Sequence, residues 1–161
     1  MRTFFPLALA LVALTAPAED WPAWRGPRGD GTSTESGIPT EWDTTRNIAW
    51  KAPIPGIGHS SPIVAGERIF LTAFIEDGGK RAVLCLDRKN GKTLWERVPL
   101  TAPPERKHKF NSFASSTPAT DGKHLWASFL EAPDIRLICY DLDGNEVWRQ
   151  SPGTFSSVHG F

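Results

Sequence analysis

The chain has 161 residues, enough for one ordinary domain, and carries 14 Gly, 14 Pro, seven Trp and nine Phe. Lys+Arg and Asp+Glu balance at 18 each, which excludes the global field that binding to nucleic acid or an anionic membrane surface would use. The composition predicts many turns and short strands around aromatic packing.

Residues 1–18 read as a signal peptide. Arg2 is its positive start, Phe4 to Leu14 its apolar run, and Ala16-Pro17-Ala18 its cleavage site. The run is too short to span a bilayer core of about 30 Å, so no membrane span is expected. Cleavage before Glu19 places the mature chain in the periplasm or outside the cell. No Cys follows the apolar run, so a bacterial lipoprotein anchor has no attachment residue.

Residues 19–45 form an irregular leader. Trp21-Pro22-Ala23-Trp24-Arg25-Gly26-Pro27-Arg28-Gly29-Asp30-Gly31 is broken too often for a ladder or a helix. The expectation is that Trp21 and Trp24 pack onto the folded body. The alternative is a ligand platform using Arg25 and Arg28. Residues 47–52 then read as a short strand carrying Trp50, the last strand of a unit whose other strands are absent upstream.

A first four-strand unit spans residues 60–98, opened by Ser60-Ser61-Pro62. Its third strand, Ala82-Val83-Leu84-Cys85-Leu86, is apolar without alternation, as a strand covered on both faces should be. A polar link follows, with Pro103 to Lys109 expected to be exposed. Its basic run contains Glu105 and sits in a neutral chain, so nucleic acid is not expected as a partner. A second unit spans 116–150 and opens with Ser116-Thr117-Pro118.

The two units share a sentence of sequence. Cys85-Leu-Asp87-Arg-Lys-Asn-Gly91-Lys-Thr-Leu-Trp95 returns as Cys139-Tyr-Asp141-Leu-Asp-Gly144-Asn-Glu-Val-Trp148, one residue shorter. The Trp residues are 53 apart and the Cys residues 54 apart, the period of a stacked repeat. Export permits a disulfide, but Cys85 and Cys139 fill the same slot of successive units. They are therefore expected to be buried, reduced thiols.

The pattern Cys85-x-Asp87-x-x-Asn90-Gly91-x-x-x-Trp95 resembles the PQQ-like (quinoprotein-type) β-propeller repeat, in which Asp, Gly and Trp recur at this spacing. The leader from Trp21 to Gly31 also resembles the opening of exported PQQ-like propellers of planctomycete-type bacteria. The resemblance implies an all-β propeller of four-stranded antiparallel blades, normally seven or eight of them. Residues 46–161 would supply one orphan strand and two blades, and the sequence reads as an N-terminal fragment. It further implies that Asp87, Gly91, Trp95, Asp141, Gly144 and Trp148 are structural, each Trp packing on the adjacent blade.

The leading functional reading is a non-enzymatic binding or scaffold module, without catalytic residues, cofactor or metal. It would engage a protein or small-molecule ligand at the propeller face. His59 and His159 precede unit openings and are the candidates for the channel mouth. The alternative is an alcohol or sugar dehydrogenase dependent on PQQ and Ca²⁺, which the resemblance would equip with a catalytic Asp and, in some members, adjacent Cys residues. No Cys-Cys pair is present, and Asp87 and Asp141 belong to turns. A third reading is a relative of the outer-membrane assembly lipoprotein propellers, from which the missing anchor Cys departs.

Overall fold

The computed structural model describes residues 18–161. The expected signal peptide, apart from Ala18, lies outside them. Among the described residues, eight strands form two four-stranded antiparallel sheets. The first contains β1 (Ile63–Ala65), β2 (Arg68–Ile75), β3 (Lys80–Asp87) and β4 (Thr93–Thr101), in that spatial order. The second repeats the plan with β5 (Ala119–Thr120), β6 (His124–Glu131), β7 (Asp134–Asp141) and β8 (Glu146–Gln150). A single 3-10 turn, Asp77–Gly79, joins β2 to β3.

The two-sided apolar strand explains the stacking. Ala82 to Leu86 of β3 are all buried. Val83 and Cys85, with Ile63 and Phe70, meet Leu125, Ala127, Ile138 and Tyr140 of the second sheet in one core. Ala82 and Leu84 point the other way and are covered by Ile54, Leu71 and Ile75. Each large aliphatic or Phe side chain among these contributes about 1.5–3 kcal/mol by leaving water, and the larger core lies in the seam between the sheets.

Both cysteines are unpaired and buried, as their shared slot implies. Burial pushes the Cys85 thiol up to about 11, and that of Cys139 up as well.

Four expectations are corrected. Residues 47–52 form no strand, because no described strand pairs with them; the indole of Trp50 docks without one. Strand β4 runs on to Thr101, past the expected end at Val98, because Arg81 and Lys80 pair with Leu100 and Thr101. Pro99 is tolerated because β4 is the outer edge, where its missing N–H costs no ladder bond. In the leader, Trp21 does pack, exchanging two 2.9 Å backbone bonds with Val64, but Trp24 is 67% exposed. The turn closed by Gly26 N–H on Ala23 C=O lays the Trp21 ring over Gly26 and leaves Trp24 outside with Arg25 against it. Finally, Trp148, expected to pack on an adjacent blade, is 37% exposed, because no turn covers it among the described residues.

Candidate functional site

The repeat motif builds a joint. Asp87 Oδ1 accepts the amides of Lys89 and Asn90 at 2.8 and 3.1 Å, and Gly91 N–H closes the turn on Asp87 C=O. In the shorter copy Asp141 Oδ1 accepts the amides of Asp143 and Asn145 at 2.9 and 2.8 Å. The Asn145 side chain, then its amide, holds the Asp141 carboxyl below the usual range. Gly91 and Gly144 have φ of 72° and 80°, where a side chain is strained.

Each turn receives a tryptophan from the preceding segment. Trp95 Nε1–H donates to Leu142 C=O at 3.0 Å, and Trp50 Nε1–H donates to Arg88 C=O at 2.9 Å. Both acceptors follow the motif Asp directly. A Cβ on Gly144 would stand 2.8 Å from the Trp95 ring, and one on Gly91 2.5 Å from that of Trp50. The glycines are thus needed twice, for the turn and for the close approach of the indole.

At the opposite end of the strands the loops 53–60, 102–118 and 151–161 gather. The Ser-Ser/Thr-Pro openers tie them together. Ser60 Oγ accepts Thr72 N–H at 3.0 Å, Thr72 Oγ1 donates to Ser116 C=O at 3.2 Å, and Ser61 N–H donates to Thr117 Oγ1 at 2.9 Å. Arg81 anchors the long link. Its Nη1 donates to Gly79 and Ala102 carbonyls at 2.7 Å each, and its Nη2 to the Glu105 carboxylate. Phe74 and Phe113 stack on the guanidinium at 5.1 and 5.2 Å. The link was expected to be exposed throughout; instead the Glu105 side chain is nearly buried, because the fully buried Arg81 demands a counter-charge.

Of the two candidate histidines, His59 is exposed on a loop held by its own amide to Ala114 C=O at 2.9 Å. His159 lies elsewhere, its ring 5.9 Å from that of His108. The His159 carbonyl accepts His108 N–H and Asn111 Nδ2–H. Phe110, 75% exposed, stands beside them with Lys109 Nζ 4.9 Å from its ring. The structure therefore groups His108, His159, Phe110 and Lys109, and leaves His59 apart. Sequence reasoning missed Arg81, Glu105, His108 and Phe110. An Arg opening an apolar strand and a lone Glu in a basic run were the available signals for the first two.

Among the described residues no three His, Cys, Asp or Glu side chains converge to hold a metal. Among the described residues, the carboxylates and thiols on which the PQQ and Ca²⁺ alternative would draw are placed otherwise. The motif carboxylates are spent on turn amides, and the thiols lie inside separate blades. Arg25 and Arg28, the alternative platform, are engaged within the leader, Arg28 by both Glu19 oxygens and Arg25 by Asp30 C=O.

Antiparallel four-stranded blades joined by a tryptophan on an Asp-to-Gly turn define a PQQ-like repeat β-propeller protein. The family model described as outer membrane protein assembly factor BamB matches residues 32–154. The chain belongs to that family. A solved structure, BamB from Moraxella catarrhalis, aligns at 17% identity and a TM-score of 0.44, over 68% of this chain and 30% of that one. This chain thus spans under a third of that protein's length. No curated protein matches. No helix among the described residues is long and apolar enough to cross a membrane.

Proposed function

We propose that this chain is part of an exported, periplasmic scaffold module that binds a protein of the cell envelope without catalysing a reaction. The observation that carries the reading is the family match over residues 32–154 to an outer membrane assembly factor. The exposed Phe110, flanked by Lys109, His108 and His159, supplies an aromatic anchor with a polar rim at one end of the blades. In this reading neither PQQ nor Ca²⁺ takes part.

The test is cross-linking of the full chain in envelopes of the source cell, with Phe110→Asp alongside. Recovery of outer-membrane assembly components by the wild type, reduced at least several-fold by Phe110→Asp, is expected. Quinone-dependent oxidation of alcohols or sugars on addition of PQQ and Ca²⁺ would overturn the reading.

A further inference from the structure

The seam between the two blades holds a pocket beside the repeat joint, with Gly144 of the joint turn in its lining. It is an open groove of about 370 Å³ between β4 and the β7–β8 hairpin, lined by Arg97, Pro99, Tyr140, Asn145, Glu146 and Arg149.

Tyr140 is 2% exposed, yet among the described residues its hydroxyl has no hydrogen-bond partner. A buried phenol without a partner is costly. Tyr140 lines the pocket together with Arg97, Glu146 and Arg149, and the charges of those three side chains act on its phenol. The two arginines are held by the fold itself. Arg97 Nε–H donates to Gly144 C=O at 2.7 Å, and its Nη atoms donate to the Glu96 and Asp143 carbonyls. Arg149 Nη1 donates to Pro99 C=O at 2.7 Å, while its Nε and Nη2 bind Glu146 at 3.1 and 2.7 Å. Each guanidinium has five N–H donors, so each keeps two unused. Among the lining side chains two arginines against one glutamate leave one positive charge in excess; Glu131, which also acts on Arg149, is outside the lining and paired with Arg136.

We propose that this pocket is a binding site for a single carboxylate group. A carboxylate has one negative charge to match the excess, and acceptor oxygens for the Tyr140 hydroxyl and the spare guanidinium donors. A phosphate dianion would bring a second charge against Glu146. The carboxylate is that of a peptide, from an acidic side chain, or that of a small organic acid. This assignment goes beyond the scaffold reading and does not rest on it.

Tyr140 is the only tyrosine of the chain, so a ring-labelled tyrosine gives one NMR signal that reports the site. The full chain is titrated with sodium acetate, with an acetylated, amidated Ala-Glu-Ala peptide, and with chloride and phosphate at matched ionic strength. Saturable shifts with acetate and peptide are expected, and tighter binding of the peptide would identify a protein source over a small acid. Tyr140→Phe keeps the ring and should weaken acetate binding about three- to ten-fold, read from the Arg97 and Arg149 Nε–H signals. Arg149→Gln should weaken it at least ten-fold. No saturable shift, an equal response to chloride or phosphate, or undiminished binding in both variants would overturn the proposal.

Discussion

Trp95 and Trp148 occupy the same slot of the repeat. Trp95 pairs across to Cys85 and Trp148 to Cys139. Yet Trp95 is half-buried, bonded to Leu142 C=O and pressed on Gly144, whereas Trp148 is partly open to solvent. The motif therefore encodes half of a joint, and the other half is a turn on the next blade. Trp50 makes the point from the other side. It belongs to no strand, and still it docks on the Asp87–Gly91 turn with the same indole bond. The joint is a matter of one side chain and one turn, independent of the ladder.

The sharpest way to break this comparison is to delete the two indoles separately. Trp95→Ala should cost about 3–5 kcal/mol, a core-sized loss, while Trp148→Ala should cost about 1 kcal/mol. Denaturant unfolding of the full chain measures both, and equal costs would dissolve the distinction.

A smaller effect is expected from the receiving turn. Gly144→Ala meets the Trp95 ring at 2.8 Å and should cost about 1–3 kcal/mol from crowding, besides its backbone strain. Gly122 shares a positive φ but has nothing within 4 Å, so Gly122→Ala should cost only the left-handed backbone penalty of about 1–2 kcal/mol. The difference between the two isolates the joint.

Acid should loosen the turns progressively. The amides of His124 and Lys123 hold Asp121 down to about 2, and Asn145 holds Asp141 low as well. Depressed carboxylates stabilise the fold above their ordinary range, about 3.9, and that contribution is lost as pH falls through the folded value. Unfolding midpoints should therefore drop between about pH 4 and pH 2, with the Trp95 signal leading if the seam turn yields first.

The subtlest reporter is Tyr140, whose burial raises its phenol to about 12. Stability tied to its neutral form is held below its ordinary value of about 10 and lost as pH rises through the folded one. Ultraviolet titration of this lone tyrosine should show a midpoint near 12, and one near 10 would mean that the seam admits water.

The blade plan was legible because it is local. Turn residues at a fixed period and a strand apolar on both faces announce two four-strand units, and the chain folds as two four-stranded antiparallel sheets. What escaped depends on partners far along the chain. The strand expected at 47–52 needed neighbours that periodicity does not report, and Pro99 hid the end of β4, which Lys80 and Arg81 settle by pairing. The candidate site was less legible. Glu105 looks like one more solvated charge until Arg81, 24 positions away, requires it. His159 meets His108 only because the segment after β8 returns to the link. The orphan hydroxyl of Tyr140 has no signature in sequence, since the second-unit residue after Cys139 reads as an ordinary core position.

Indole N–H hydrogen exchange tests the joint most directly, because it reads the bond that defines it. On the full chain, resolved indole signals should show the Nε1–H of Trp50 and of Trp95 strongly protected, bonded as they are to Arg88 and Leu142. That of Trp148 should exchange close to the rate of an exposed indole. Comparable exchange at Trp95 and Trp148 would contradict the docking account.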